Sequence, residues 1–340
     1  MPDRNISPIE RNYFIENSRR LGLEDRIQVL EDSGVKRFMI GGYQVYIPPE
    51  FIPSEFEPLK STLKDYRKLI TQIFTTNGSI IDPRPGREVV RVISLENHES
   101  LQTSNIPKTV VVKNSHLAGN SGYDITDGLN QLKVRSLYQQ KLKEFKIKSI
   151  RVVDIYGVIA PKDNSGDRQI MEYIEGYDLN QYFDSEIAQS DDNLNIIQGS
   201  KLLIVEIATM LKNQLSEYTD IVNNRSGKEN QSFKEIRFLE IMQININEIK
   251  EQLEIADQIF NKFVIKQDVS KVDLDRMFFL FQKVFVNDET LNRGAISEIG
   301  KSGFLRNDNL PVKNDQIDLG NIMWSRTERK FVIIDPTYIK

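Results

Sequence analysis

The hydrophobic and polar positions of the chain fall into three kinds of pattern. In "KRFMIGGYQVYI", apolar and polar residues alternate on either side of Gly41-Gly42, which predicts a β-hairpin turning at the two glycines. "SEFEPLKSTLKDYRKLITQIF" then recurs at helical spacing and predicts a helix. The Pro-Gly cluster "IDPRPG", Ile81 to Gly86, punctuates the chain, and a domain boundary is placed there, leaving residues 1–85 as an N-terminal extension.

From Arg87 to about Ile174 the pattern is short and β-like. "REVVRVISL", "KTVVVK", "IRVVDIYGVI" and "RQIMEYI" each read as a strand, and "GLNQLKVRSLYQQKLKEF" as one helix between the second and third. Several strands with a single helix do not make a repeating βαβ unit, so a doubly wound parallel sheet is disfavoured. A small sheet with one helix against it is expected, ending near residue 176. After Tyr177 the pattern turns helical. Leu239, Met242, Ile246, Ile249, Leu253, Ala256, Phe260 and Phe263 repeat at 3–4 spacing and form one stripe of a helix about 30 residues long. The stripe packs inside a helical domain or, alternatively, joins two chains as a coiled coil through residues 239–263. The polar run "NNRSGKENQS" ahead of it is expected to be an exposed loop.

Composition narrows the chemistry. A 340-residue chain with 39% hydrophobic and 28% charged residues has the make-up of a globular protein of two or three units. A net charge of −4 gives no overall attraction for nucleic acid. There is no cysteine, so disulfides, thiolate metal sites and cysteine nucleophiles are excluded. His98 and His116 are the only histidines, so a His-rich metal site is excluded as well. The start "MPDRNISPIERNYF" is charged, and the most apolar stretch, "LLIVEIATML", is short and carries a glutamate. The expectation is a soluble protein of a bacterial or host-cell cytoplasm, with no membrane or nucleic-acid partner.

Chemistry-bearing residues gather at the end of the chain. Asp318, Asn321 and Asp335 lie on or beside two predicted short strands in "IDLGNIMWSRTERKFVIIDP", and Asn321 and Asp335 are spaced to sit at the open end of one hairpin. Far upstream, an apolar strand ends in Lys113. A cation for phosphate oxygens, hard oxygen ligands for magnesium and a carboxylate for an acceptor hydroxyl are the parts that phosphoryl transfer uses.

In this order, "VVVK", the helix, two strands, "IMEYIEGYDL" and "DLGNIMW…FVIIDP" resemble the protein-kinase-like superfamily, in particular the divergent, reduced kinases of bacteriophages and bacterial effectors that lack an activation segment. The resemblance covers about Arg87 to the C-terminus. It implies an α+β, bilobal kinase-like fold: a small antiparallel-sheet N-lobe over residues 86–176 and an atypical helical C-lobe over 177–340. The C-lobe would carry a long helical insertion at 184–300 and a catalytic and metal loop at 315–336. It implies ATP and Mg2+ as cofactors and a protein Ser/Thr substrate. Lys113 would bind nucleotide phosphates, backbone around Glu172 to Ile174 would bind adenine, and Asn321 and Asp335 would bind magnesium. Asp318 is the catalytic base if the loop is two residues shorter than usual. Otherwise the base is Asp315 or absent, because the usual position is Gln316. The glycine-rich turn expected near "LENHESLQTSN" is missing, and the helix position that should hold Lys113 falls at Gln139 or Gln140, with Glu144 a turn further on. A kinase-like binding module without turnover and a kinase-like AMP transferase are the alternatives.

Overall fold

The computed structural model describes residues 34–75, 79–80, 89–94, 107, 109–114, 127–160, 167–184, 192–226, 233–266, 269–286 and 319–334. They form an α+β protein of two units. The first holds the described residues up to Leu137 together with Val153–Ile174; the second holds Tyr138–Val152 and the described residues from Glu175 onward.

The first unit is built on one sheet. Its strands are β1 (Lys36–Ile40), β2 (Tyr43–Ile47), β3 (Ser79–Ile80), β4 (Val89–Ser94), β5 (Thr109–Asn114), β7 (Ile155–Ile159) and β8 (Arg168–Glu172), in the spatial order β1-β2-β7-β8-β5-β4-β3. Every pairing is antiparallel. The β1–β2 turn is the predicted one: Gly41 and Gly42 have φ of 61° and 84°, a left-handed pair that residues with a Cβ adopt only under strain.

Helix α1 (Phe56–Thr75) covers one face of this sheet, because its buried stripe of Tyr66, Leu69, Ile70 and Ile73 shares a core with Val45, Ile47, Val110, Val112 and Ile170. The Tyr66 hydroxyl donates to the Tyr156 carbonyl inside that core, tying helix to sheet, and burial holds the phenol well above its usual pKa. Strand β2 hydrogen-bonds to β7, and α1 packs on strands from both sides of residues 81–86. The boundary expected at 85/86 is therefore no boundary between units: burying the apolar face of the hairpin and α1 requires the sheet that follows them.

Helix α2 (Asp127–Glu144) is the single predicted helix, and the division between the units passes within it. The segment "IRVVDIYGVI", expected to be one strand, is two. β6 (Ile150–Val152) joins the sheet of the second unit, β7 that of the first, and Val153 and Asp154 interrupt them. The physical cause is Arg135 of α2, buried in the first unit. Its Nε donates to the Val153 carbonyl at 2.9 Å, and its two terminal nitrogens reach Glu50 at 2.6 Å and Asp154 at 2.5 Å. The first of these bonds takes up a backbone carbonyl that a continuous ladder would have used, and the other two hold the guanidinium against the break.

In the second unit, β6, β9 (Gly176–Asp178), β10 (Ile322–Ser325) and β11 (Lys330–Ile333) form a four-stranded sheet in the order β6-β11-β10-β9, parallel only between β6 and β11. Around it run α3 (Leu179–Asp184), α4 (Asp192–Ser226), α5 (Phe233–Lys266) and α6 (Lys271–Val286). The stripe on α5 is buried at Met242, Ile246, Ile249, Ala256 and Phe263 and half-buried at Leu239, Leu253 and Phe260, and α5 packs along α4. Of the expected loop at "NNRSGKENQS", the first four residues instead extend α4, and the rest lies outside the described residues. Helix α4 runs far beyond the ten-residue apolar stretch inside it. By length and composition it could cross a membrane, with a window of mean hydropathy 1.4. However, 44% of that window is buried, and Ile196, Leu203, Ile207 and Leu211 form its inward stripe.

Candidate functional site

Lys113 stands in β5, next to the middle of the sheet, with only 7% of its surface exposed. Its register partners are Val90 on β4 and Gln169 on β8. Side chains alternate across a strand, and Val110, Val112 and Ile170 belong to the core under α1, so Lys113 and Gln169 face the other side of the sheet.

That other side is polar close to Lys113. Gln169 is completely buried, and neither atom of its carboxamide has a hydrogen-bond partner. Asp167, two residues earlier and so on the same face, is also fully buried, and its Oδ1 accepts the Gly128 N–H at 3.1 Å. This is one of the first-turn amides that a helix leaves unsatisfied, so the carboxylate caps α2 from the residue just before β8. The fit there is close: a Cβ on Gly128 would come within 2.6 Å of the Gln169 Cγ and 2.9 Å of both Asp167 oxygens. The sequence patterns did not single out Asp167 or Gln169. The sequence carried little signal for them, because the run Asp167-Arg168-Gln169-Ile170-Met171 has polar residues at three successive positions and then apolar ones, with no two-residue period.

The hinge residues are partly committed. The Glu172 N–H donates to the Asp154 carbonyl at 2.8 Å, and its Oε2 accepts from the Asp154 N–H at 3.3 Å. Adenine recognition by backbone donors would therefore fall to residues after Glu172, where Tyr173 is exposed and Ile174 is buried. Gln140, expected to hold Lys113, is exposed and belongs to the second unit, and Glu144 is engaged with Lys141 at 3.3 Å.

In the second unit, β10 and β11 form the hairpin predicted between Asn321 and Asp335, with Ile322 opposite Ile333. Asn321 closes a short 3-10 turn, Leu319–Asn321, at the open end of that hairpin, and its carbonyl accepts the Ile334 N–H at 2.9 Å. The chain is thus pinned at the residue before Asp335. Asp335, Asp318 and Asp315 themselves lie outside the described residues. Among the described residues, no three His, Cys, Asp or Glu side chains converge as a metal site.

The hairpin's placement follows from Trp324. Its ring lies 5.0 Å from Phe331, which meets Phe278 of α6 at 5.2 Å, both edge to face. Gly199 of α4 lets the helix approach, since a Cβ there would sit 2.7 Å from the indole. At the far end of the hairpin, Arg326 bonds Asp192 at 2.8 Å and lies 5.0 Å over the Tyr177 ring. Arg151 pairs with Glu328, a hydrogen bond that lowers the Glu328 pKa. Both ends of the hairpin are therefore fixed, so Asn321 stands on a rigid support.

No protein-family model, curated protein or solved structure matches the chain.

Proposed function

We propose that the protein is an ATP-dependent phosphotransferase of kinase-like architecture, acting on Ser or Thr of a protein substrate. The observation that carries this reading is the succession of elements around Lys113. The lysine is buried in a strand next to the middle of an antiparallel sheet. A helix follows it, two further strands return to the same sheet with the last beside the lysine's own, and a short segment leads into a second unit that ends in a rigid hairpin opening at Asn321. Each piece occurs in the order that the resemblance to kinases implies.

The residues present fit the groups that such a reaction needs. A buried lysine beside unpartnered polar atoms suits phosphate oxygens, and a side-chain amide at a fixed hairpin end suits a hard cation. In this reading Lys113 holds phosphate, residues 173–174 meet adenine, and Asn321 and Asp335 hold magnesium, which when bound supplies positive charge to the phosphates. Asp318 accepts the proton of the acceptor hydroxyl.

The test is thermal shift and intact-mass spectrometry of the full chain with ATP and magnesium. Stabilisation with the gain of a phosphoryl group on the chain or an added protein supports the reading. Stabilisation alone identifies a binding module, and the gain of a nucleotide identifies AMP transfer. Lys113→Ala is expected to weaken nucleotide binding and turnover together. Asp335→Asn is expected to remove the magnesium dependence of binding. Asp318→Ala is expected to keep affinity while lowering turnover roughly 100-fold; undiminished turnover would move the base to Asp315.

A further inference from the structure

The proposed function leaves open which group holds the ammonium of Lys113. A buried ammonium needs an opposite charge or several acceptors, because isolation from water is costly. On the sheet, one of its two cross-strand neighbours, Val90, is apolar. The other is Gln169, with Asp167 two residues before it on the same face. Directly opposed side chains have Cβ atoms about 5 Å apart, and the diagonal neighbour two residues along lies within reach of a long side chain. A lysine in β5 can therefore reach the Asp167 carboxylate without leaving its strand. The close fit of Gly128 over both Asp167 oxygens and the Gln169 Cγ holds that carboxylate beside the side chain of Gln169, the cross-strand partner of Lys113.

Resting on the reading of Lys113 as the phosphate-binding lysine, we propose that Asp167 is its positioning residue. The charge partner comes from the residue that leads into the adjacent strand, β8, rather than from an acidic residue on α2. Asp167 then does two things with one carboxylate: it caps α2 through Gly128 and orients the ammonium of Lys113. The unpartnered carboxamide of Gln169 agrees with this, since it keeps the surroundings of the ion pair polar. One consequence is that the helix needs no glutamate, which accounts for the glutamines at 139 and 140.

The experiment is a double-mutant cycle in the full chain. Asp167→Asn keeps an oxygen to cap Gly128 and removes the charge, and Lys113→Met keeps the length and removes the ammonium. Unfolding in urea of the parent, both single variants and the double variant gives the coupling. A coupling of about tenfold or more in the unfolding equilibrium is expected, and additivity of the two changes overturns the proposal. Competitive acetylation read by peptide mass spectrometry adds a second readout. Lys113 should label several-fold faster in Asp167→Asn while Lys271 and Lys262 label as before, and unchanged labelling of Lys113 again overturns it. Gly128→Ala, which displaces the carboxylate, should act in the same direction as Asp167→Asn. If the proposal holds and nucleotide binds, Asp167→Asn also loses about tenfold in Mg-ATP affinity. If the parent binds no Mg-ATP while the coupling is present, the phosphotransferase reading fails and the assignment of Asp167 stands.

Discussion

The two sheets solve opposite problems. In the second unit the strands close on aromatic and aliphatic side chains: Trp324, Phe331 and Phe278 interlock, and glycines at 199 and 176 admit the indole and its backbone so closely that a Cβ would collide with them. In the first unit one face of the sheet is an ordinary core under α1, while the other buries Lys113, Asp167 and Gln169. A protein gains no stability from an unpartnered buried carboxamide, which costs about 1–3 kcal/mol for a group left without its bond. The comparison teaches where charged and amide side chains are buried together against a sheet: on the polar side of the first one.

If that division is right, the largest losses of stability come from the second unit. Ile249→Asp should unfold it, since Ile249 is 1% exposed on α5 and a lone carboxylate there outweighs a marginal total stability. The same change at Ile244, 55% exposed on the same helix, should leave melting within a degree or two of the parent. Equal effects would mean that the stripe faces elsewhere. Next comes Trp324→Ala, expected to cost about 3–5 kcal/mol by urea unfolding, because the indole fills a space bounded by Gly199 and Phe331.

Smaller effects sharpen the contrast inside the first unit. Tyr66→Phe leaves the Tyr156 carbonyl without its donor in the core and should cost about 1–2 kcal/mol. Gln169→Leu, equally buried but on the polar face, should leave the melting temperature unchanged or raise it, because it removes two unpartnered atoms. A loss as large as that of Tyr66→Phe would show that Gln169 belongs to the structural core after all.

The smallest effect is electrostatic. Burial opposes ionisation of Asp273 at the start of α6, but hydrogen bonds from Lys262 at 2.7 Å and Ser270 at 2.5 Å outweigh it and lower its pKa. A folded pKa below the unfolded value of about 3.9 means that this contribution is fully present above that value and is lost as pH falls through the folded pKa. Asp273→Asn should therefore cost stability at pH 6, and the difference from the parent should shrink below about pH 4. A pH-independent difference would assign the residue to helix capping alone, through the Asp273 N–H to Ser270 Oγ bond at 3.2 Å.

Local chemistry fixed much of this architecture in advance. The Gly41-Gly42 turn, the strands at 109–114 and 168–172, the helix at 127–144, the α5 stripe and the Asn321–Asp335 hairpin were all legible, because each is set by period, turn residues or spacing within a few neighbours. Asn321 and Lys113 were legible for the same reason, as residues at the ends of recognisable short patterns. Long-range partnership was not. That β2 pairs with β7 across more than a hundred residues, that Arg135 splits residues 150–159 between two sheets, and that Asp167 caps α2 beneath Gly128 depend on which surfaces meet. Periodicity says that a face must be covered but not by what. Tertiary packing chooses the cover, and it alone set Gln169 opposite Lys113 and Asp167 against the start of α2.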